Sequence, residues 1–233
     1  MSSPTVVITG ANRGIGLAFV DAHLSAGYSV FAGCRDPAEA DDLQSRAAQY
    51  PNNLTVLPLD VTDDASIQTA AERVSAVTTH LDRLVNNAAV FHTTPLEEIT
   101  RENTLHTFAV NSLGPVLVFR AFLAGLRAAR RPVVVNISSN RGSVSGQHDT
   151  KLWDYAASKG AMNSYTRKMA FTLAPNDGIA IAIDPGWVST RMGGEEADLT
   201  PEQTVSSMMD VINQLTPAQN GGFFRWDGSI AAW

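Results

Sequence analysis

Thr9-Gly10-Ala11-Asn12-Arg13-Gly14-Ile15-Gly16 follows a short β-branched run, Thr5–Thr9, and leads into a helix-period segment, Ile15–Ala26. Glycines at 10, 14 and 16 let the chain turn tightly and bring its backbone against a pyrophosphate, whose charge the amino end of the next helix stabilises. A glycine-rich turn can also join a strand to a helix without holding any ligand, and spacing alone leaves both readings open. Placement at the first strand–helix junction favours a dinucleotide. Gly10, Asn12, Arg13, Gly14, Ile15 and Gly16 are therefore the first expected cofactor contacts.

The same alternation continues outward from this loop. Strands are expected at Ser29–Cys34, Leu54–Pro58, Arg83–Asn86, Pro132–Ile137, Ala180–Ile183 and Gly222–Phe224. Helices are expected at Ala38–Gln49, Ala65–Val77, Leu105–Ala129, Tyr155–Leu173 and Pro201–Gln214. Asp36-Pro37 and Thr200-Pro201 read as an N-cap followed by proline at the first helical position, Asp63 and Asp64 precede the third helix, and Gly27 closes the first. A strand such as VVVNI shows no in/out alternation, as expected where helices cover both faces of a parallel sheet. The fold class is α/β, a doubly wound parallel sheet of about seven strands, and 233 residues without repeat or linker read as a single domain.

Composition narrows the functions. Hydrophobic residues make up 44% and charged residues 17%, an ordinary globular balance, and a formal net charge of -6 argues against nucleic acid as the main partner. A lone cysteine, Cys34, permits neither an internal disulfide nor a cysteine-based metal cluster. No stretch reads as the roughly 20 apolar residues that a bilayer crossing needs. A soluble, cytoplasmic chain with no membrane partner is the expectation.

Cofactor choice turns on the end of the second strand. An acid there would bind the ribose 2′-hydroxyl of NAD, whereas this chain has Cys34 and then Arg35. Arg13, in the phosphate loop, is a second cation able to reach the same point. Two guanidiniums around a 2′-phosphate favour NADP(H), although Asp36 could pair with one of them.

Tyr155 and Lys159 stand four residues apart, on one face of a helix. An adjacent ammonium favours the phenolate, which would bring a tyrosine nearer the working range of a general acid or base. Ser138 and Ser139 end the fifth strand at the carboxyl edge of the sheet, where open α/β folds bind their ligands; Ser138 reads as a turn cap. Asn111 lies in an otherwise apolar helix, as a satisfied core amide or a water-holding one.

Together these positions resemble the short-chain dehydrogenase/reductase family over nearly the whole chain. The matching features are TGANRGIG, Leu59-Asp60-Val61, NNAA at 86–89, Asn111, Ser139, YAASK at 155–159 and DPGWVST at 184–190. The tail is similar to the carbonyl-reductase and C-factor-like branch. The resemblance implies that Tyr155 donates a proton to a substrate carbonyl, that Ser139 holds that oxygen, and that Lys159 lowers the tyrosine pKa and binds the nicotinamide ribose. It implies further that Asn111 anchors a water relaying protons to Lys159. Asp60 and Val61 would contact the adenine, Asn87 and Ala88 would shape the cofactor channel, and Pro185, Val188 and Thr190 would lie beside the nicotinamide. It also implies a small-molecule carbonyl or alcohol substrate, and self-association as a dimer or tetramer through the two long helices.

Two departures concern substrate identity: Ala89 stands where the family usually has glycine, and the Ser139–Tyr155 spacing is slightly long. A nucleotide-bound signalling protein without turnover, or a biosynthetic enzyme doing non-redox chemistry on this fold, are the alternatives. His92, His106 and His148 lack ligand spacing, so no metal site is expected. Cys34 reads as a packing residue, and Trp153 and Trp187 as a candidate apolar substrate wall.

Overall fold

Val6, Val7 and Ile8 are wholly buried, which a strand achieves only when both faces are covered. The computed structural model describes residues 3–233. It contains β1 (Thr5–Thr9), α1 (Gly14–Ser25), β2 (Ser29–Cys34), α2 (Asp41–Gln49), β3 (Leu54–Pro58), α3 (Asp64–Ser75) and β4 (Arg83–Asn86). There follow α4 (Arg101–Phe108), α5 (Gly114–Ala128), β5 (Val133–Ile137), α6 (Trp153–Leu173), β6 (Ile179–Asp184), α7 (Pro201–Asn213) and β7 (Phe223–Arg225). All neighbouring strands pair in parallel in the order β3-β2-β1-β4-β5-β6-β7. The order reverses between β1 and β4, and open sheets of this kind bind their ligands outside the carboxyl ends of the strands at such a reversal.

Strand residues alternate between two apolar layers. Ile8, Val85, Val135 and Ile181 pack with Phe19 and Val20 of α1 and with Met208 and Ile212 of α7. Their neighbours Val7, Leu84, Val134 and Ala180 face Phe122 and Leu126 of α5 and Met169 and Leu173 of α6. Period-2 alternation exists in space, but both partners are apolar, so it is invisible in the sequence.

Helix ends follow the expected chemistry in three places and depart from it in one. Gly27, at φ +80°, turns the chain after α1. Asp63 accepts from the Ala65 N–H at 2.9 Å, and Thr200 and Gln203 form a reciprocal capping box at α7. Asp36-Pro37 starts no helix: Asp36 Oδ1 accepts from the Ala38 N–H at 3.0 Å in a local turn, and α2 begins at Asp41. A side chain that closes a turn two residues on competes with helix initiation.

The long fourth helix begins earlier than expected and is not uniform. Ala109–Leu113 forms a π-helical turn between α4 and α5, directly before Gly114-Pro115. Proline has no N–H to return to the preceding turn, and a wider turn accommodates that loss. By length and composition the continuous run Arg101–Ala128 is apolar enough to cross a membrane, contrary to the expectation. Val118, Phe119, Phe122 and Leu126 are buried in the sheet-facing core, which accounts for its hydropathy.

Arg83, first residue of β4, is buried with no carboxylate within ion-pair distance among the described residues. Its Nη1 donates to His23 Nε2 at 3.0 Å, its Nη2 donates to Asn213 Oδ1 at 3.1 Å, and it lies over the Tyr28 ring. His23 Nδ1 contacts the Phe19 carbonyl at 2.7 Å, which fixes the proton on Nδ1 and leaves Nε2 as acceptor. Burial first, then the Arg83 charge, pushes His23 down to about 3, against the pull of the Phe19 carbonyl.

Candidate active site

The glycine-rich loop after β1 is shaped by positions where a side chain would not fit. Gly10 and Gly14 have φ of +63° and +52°. A Cβ on Gly10 would lie 2.9 Å from Ala88 Cα, and one on Gly14 would lie 3.1 Å from Thr190 Cγ2. Thr9 Oγ1 accepts from the N–H groups of Asn87 and Ala88, both at 3.0 Å, and Asn87 Nδ2 donates to the carbonyls of Thr9 and Gly10. The β1, β4 and β6 loops thus meet over the start of α1.

That helix start carries no side-chain cap and no acid in its first turn. Its amino-terminal N–H groups and positive dipole end fit an anion. Arg13 stands beside Arg35 and Arg191: burial, then the charges of Arg191 and Arg35, lower its pKa. Among the described residues none of the three forms an ion pair, and Asp36, the expected competitor, is held in its own turn. Sequence reasoning missed Arg191, because only the fold brings the loop after β6 against Gly14. Asp60 Oδ1 closes a turn with the Thr62 N–H and hydroxyl, while Val61 is buried against Gly114. The residues present fit a dinucleotide.

The second half of the candidate site lies at the ends of β5 and β6. Tyr155 and Lys159 are both buried on α6, with Lys159 Nζ 5.7 Å from the centre of the Tyr155 ring. Nζ donates to the Ile137 carbonyl at 2.7 Å. The Phe91 ring meets Tyr155 edge-on, with centroids 4.9 Å apart. Spacing alone suggested a lowered tyrosine pKa, but burial outweighs it. The phenol is pushed up to about 12 by desolvation, helped by Asp184, while a hydrogen bond to Ser139 favours the phenolate. Lys159 is lowered to about 8 by desolvation, with Asp184 acting in the opposite direction. The resting tyrosine is a protonated phenol, the form from which a proton can be given.

The turn cap expected at Ser138 is made by its neighbour instead. Ser139, not Ser138, accepts from the Arg141 N–H and starts a single 3₁₀ turn; Ser138 donates to Asn163 Oδ1 at 2.6 Å. Asn111, in the π turn, accepts from the Val90 N–H at 2.8 Å. Its amide hydrogens go to the Val90 carbonyl and to Ser158 Oγ. It braces the loop after β4 against α6 one residue before Lys159.

Other side chains stand apart. His92, His106 and His148 are exposed, and no metal-binding group of His, Cys, Asp or Glu occurs among the described residues. Cys34 is buried, and burial raises its thiol pKa, as a packing residue requires. Trp187 donates to the Gly193 carbonyl at 2.7 Å and stays half exposed. Trp153 is exposed, two helix positions from Tyr155 and so off its face.

A family model for short chain dehydrogenases matches residues 4–200. The chain belongs to the short-chain dehydrogenase family. As a member of that oxidoreductase family it is 34% identical to an uncharacterized oxidoreductase of Schizosaccharomyces pombe, over 96% of this chain and 95% of that protein. It is 35% identical to the C-signal of Myxococcus xanthus, over 66% of this chain and 93% of the other. Among solved structures, the NADPH-bound carbonyl reductase from chicken fatty liver superposes with a TM-score of 0.94 at 35% identity, covering both chains fully. This short-chain dehydrogenase belongs to the carbonyl-reductase-like branch that the tail motifs indicated.

Proposed function

We propose that this short-chain dehydrogenase is an NADP(H)-dependent reductase of aldehyde or ketone carbonyls on small organic molecules. The observation that carries the reading is a protonated, buried phenol beside a serine hydroxyl, at the strand ends next to a glycine-rich loop whose helix start is uncapped. Bound there, the reduced nicotinamide supplies the hydride. Tyr155 Oη gives its proton to the carbonyl oxygen, and the Ser139 hydroxyl donates a hydrogen bond that holds this oxygen. Lys159 places a positive charge beside the phenol. Asn111 acts through Ser158 and Val90, keeping α6 and the β4 loop in place. Phe91 presents an apolar edge to the carbonyl's substituents.

Consumption of NADPH and NADH against a panel of aldehydes, ketones and quinones tests this directly. NADPH-selective turnover supports the reading, and turnover restricted to NADH sinks the assignment of the arginines. Arg35→Gln and Arg191→Gln sharpen it. Each removes one guanidinium from the phosphate cluster and should raise the NADPH dissociation constant by roughly tenfold. Arg35→Gln should leave NADH nearly unchanged, as measured by fluorescence titration.

Similarity to the Myxococcus C-signal supports a second reading, a nucleotide-bound signalling protein without turnover. Tight NADPH binding with no carbonyl reduced would favour it. The family resemblance also supports self-association across α4–α5 and α6, whose outer faces expose Leu105, Leu113, Tyr165 and Phe171. Light scattering should return twice or four times the monomer mass, and a monomer at micromolar concentration would refute it.

A further inference from the structure

Helix α6 opens without an ordinary cap. Leu152 precedes it in a left-handed conformation, at φ +59°, and its side chain caps nothing. Such a conformation is strained for a bulky residue and persists only where its surroundings impose it. Asp154, in the first turn and only 4% exposed, supplies an acceptor instead: its Oδ1 takes the Tyr155 N–H at 2.8 Å. Its Oδ2 accepts from the hydroxyl of Thr107, a wholly buried residue of α4, at 3.2 Å. Among the described residues no cation lies within ion-pair distance of Asp154, so its oxygens depend on these two donors. Four residues further along both segments the arrangement repeats: Asn111 Nδ2 donates to Ser158 Oγ at 3.1 Å, and both residues are wholly buried. The pairs 107–154 and 111–158 are two polar rungs joining α6 to the rod of α4 and the π turn. Tyr155 and Lys159 each follow a rung by one residue, and Ser158 Oγ donates to the Tyr155 carbonyl at 2.7 Å.

We propose that Asp154 is a positioning residue that, with Thr107, fixes where α6 stands along α4 and hence where Tyr155 Oη points. This inference rests on the proposed reductase reading. The physical argument is directional. Apolar helix faces tolerate small slides and rotations, because burial and dispersion have no preferred direction. A buried carboxylate does not, since moving it off its two donors leaves polar oxygens unpaired away from water. The Asn111 rung belongs to the site already described, but a single rung is a pivot. A second rung one turn away removes the rotation that the first allows. Tyr155 lies between the two, so an error at either is passed to its hydroxyl.

Asp154→Ala removes the first rung, and Thr107→Val removes it from the other side while leaving the start of α6 intact. Each should lower kcat for carbonyl reduction about ten- to a hundredfold, as a misplaced donor does, with the NADPH dissociation constant within about twofold of wild type. Asp154→Asn should restore most of the rate. Its oxygen still takes the Tyr155 N–H, and its amide donates to Thr107 Oγ1, whose own proton goes to the Asn103 carbonyl 2.9 Å away. The sharpest comparison is made in the Tyr155→Phe background. A residue acting only through Oη has nothing left to position there, so adding Asp154→Ala should cost less than about twofold. Wild-type kcat in a folded Asp154→Ala protein, or an equal loss with and without the phenol, overturns the proposal. Should Asp154→Ala not fold, Thr107→Val carries the same comparisons. If the wild type reduces no carbonyl, the reductase reading fails, and NMR-detected amide exchange at Tyr155 still tests the rung. Asp154→Ala should speed that exchange about tenfold and Asp154→Asn should keep it slow, whereas unchanged exchange in Asp154→Ala overturns the proposal.

Discussion

Tyr155→Phe should lower the rate constant for carbonyl reduction by roughly 10²- to 10⁴-fold, the usual contribution of a positioned general acid. The NADPH dissociation constant should change little. Phenylalanine keeps the ring and its edge contact with Phe91, so the loss isolates the proton at Oη. The pH dependence follows from the phenol lying near 12, above its ordinary 10. Reduction uses the protonated form and should not lose its donor anywhere in the neutral range. Alcohol oxidation needs the phenolate, so its rate should climb about tenfold per pH unit well below that value. Stopped-flow or steady-state rates in both directions check the pair. Full turnover by Tyr155→Phe would remove the tyrosine from the mechanism.

The second large effect is on stability. His23 is neutral in the fold and titrates near 3, while an unfolded chain binds its proton near the ordinary 6.5. Between those values the unfolded state holds more protons, so stability rises with pH across the interval. It is complete above about 6.5 and is lost as the pH falls toward 3, at about 1.4 kcal/mol per unit and roughly 5 kcal/mol in all. His23→Gln keeps an acceptor for Arg83 without a titrating group, and its urea-derived stability should lack this part of the acid slope. His23→Leu instead leaves a buried guanidinium short of a partner and should cost about 3–5 kcal/mol at pH 7. Equal acid slopes in wild type and His23→Gln would refute the assignment.

Every strand and most helices could be read from local patterns, because β-branched runs alternate with helix-period segments and glycine, proline and aspartate punctuate them. The glycine-rich loop was equally plain, since its turn depends on backbone geometry that glycine supplies at residues 10 and 14. What escaped notice were relations across the sheet. Arg191 joins Arg13 only once the loop after β6 folds over Gly14. Asp184 gains its neighbours only through strand register. Arg83 and His23 are 60 residues apart and look like surface residues until α1 packs on β4. The tyrosine ionisation was misjudged for a related reason: helix spacing reveals a neighbour's charge, whereas burial belongs to the whole fold.

The π turn has a consequence for insertions and deletions in this chain. Each α-helical residue advances the side-chain direction by about 100°. A five-residue π turn absorbs such a step, so α4 and α5 share one rod yet differ in angular phase. Ahead of it Thr107 meets Asp154, and beyond it Val118, Phe122 and Leu126 meet the sheet. Deleting one residue between 109 and 113 would restore an even helix and rotate one half against the other. Either Asn111 would swing away from Val90, or the apolar stripe would turn toward solvent. The irregular turn thus works as a phase correction, letting a single helix satisfy two surfaces that no uniform winding could face together.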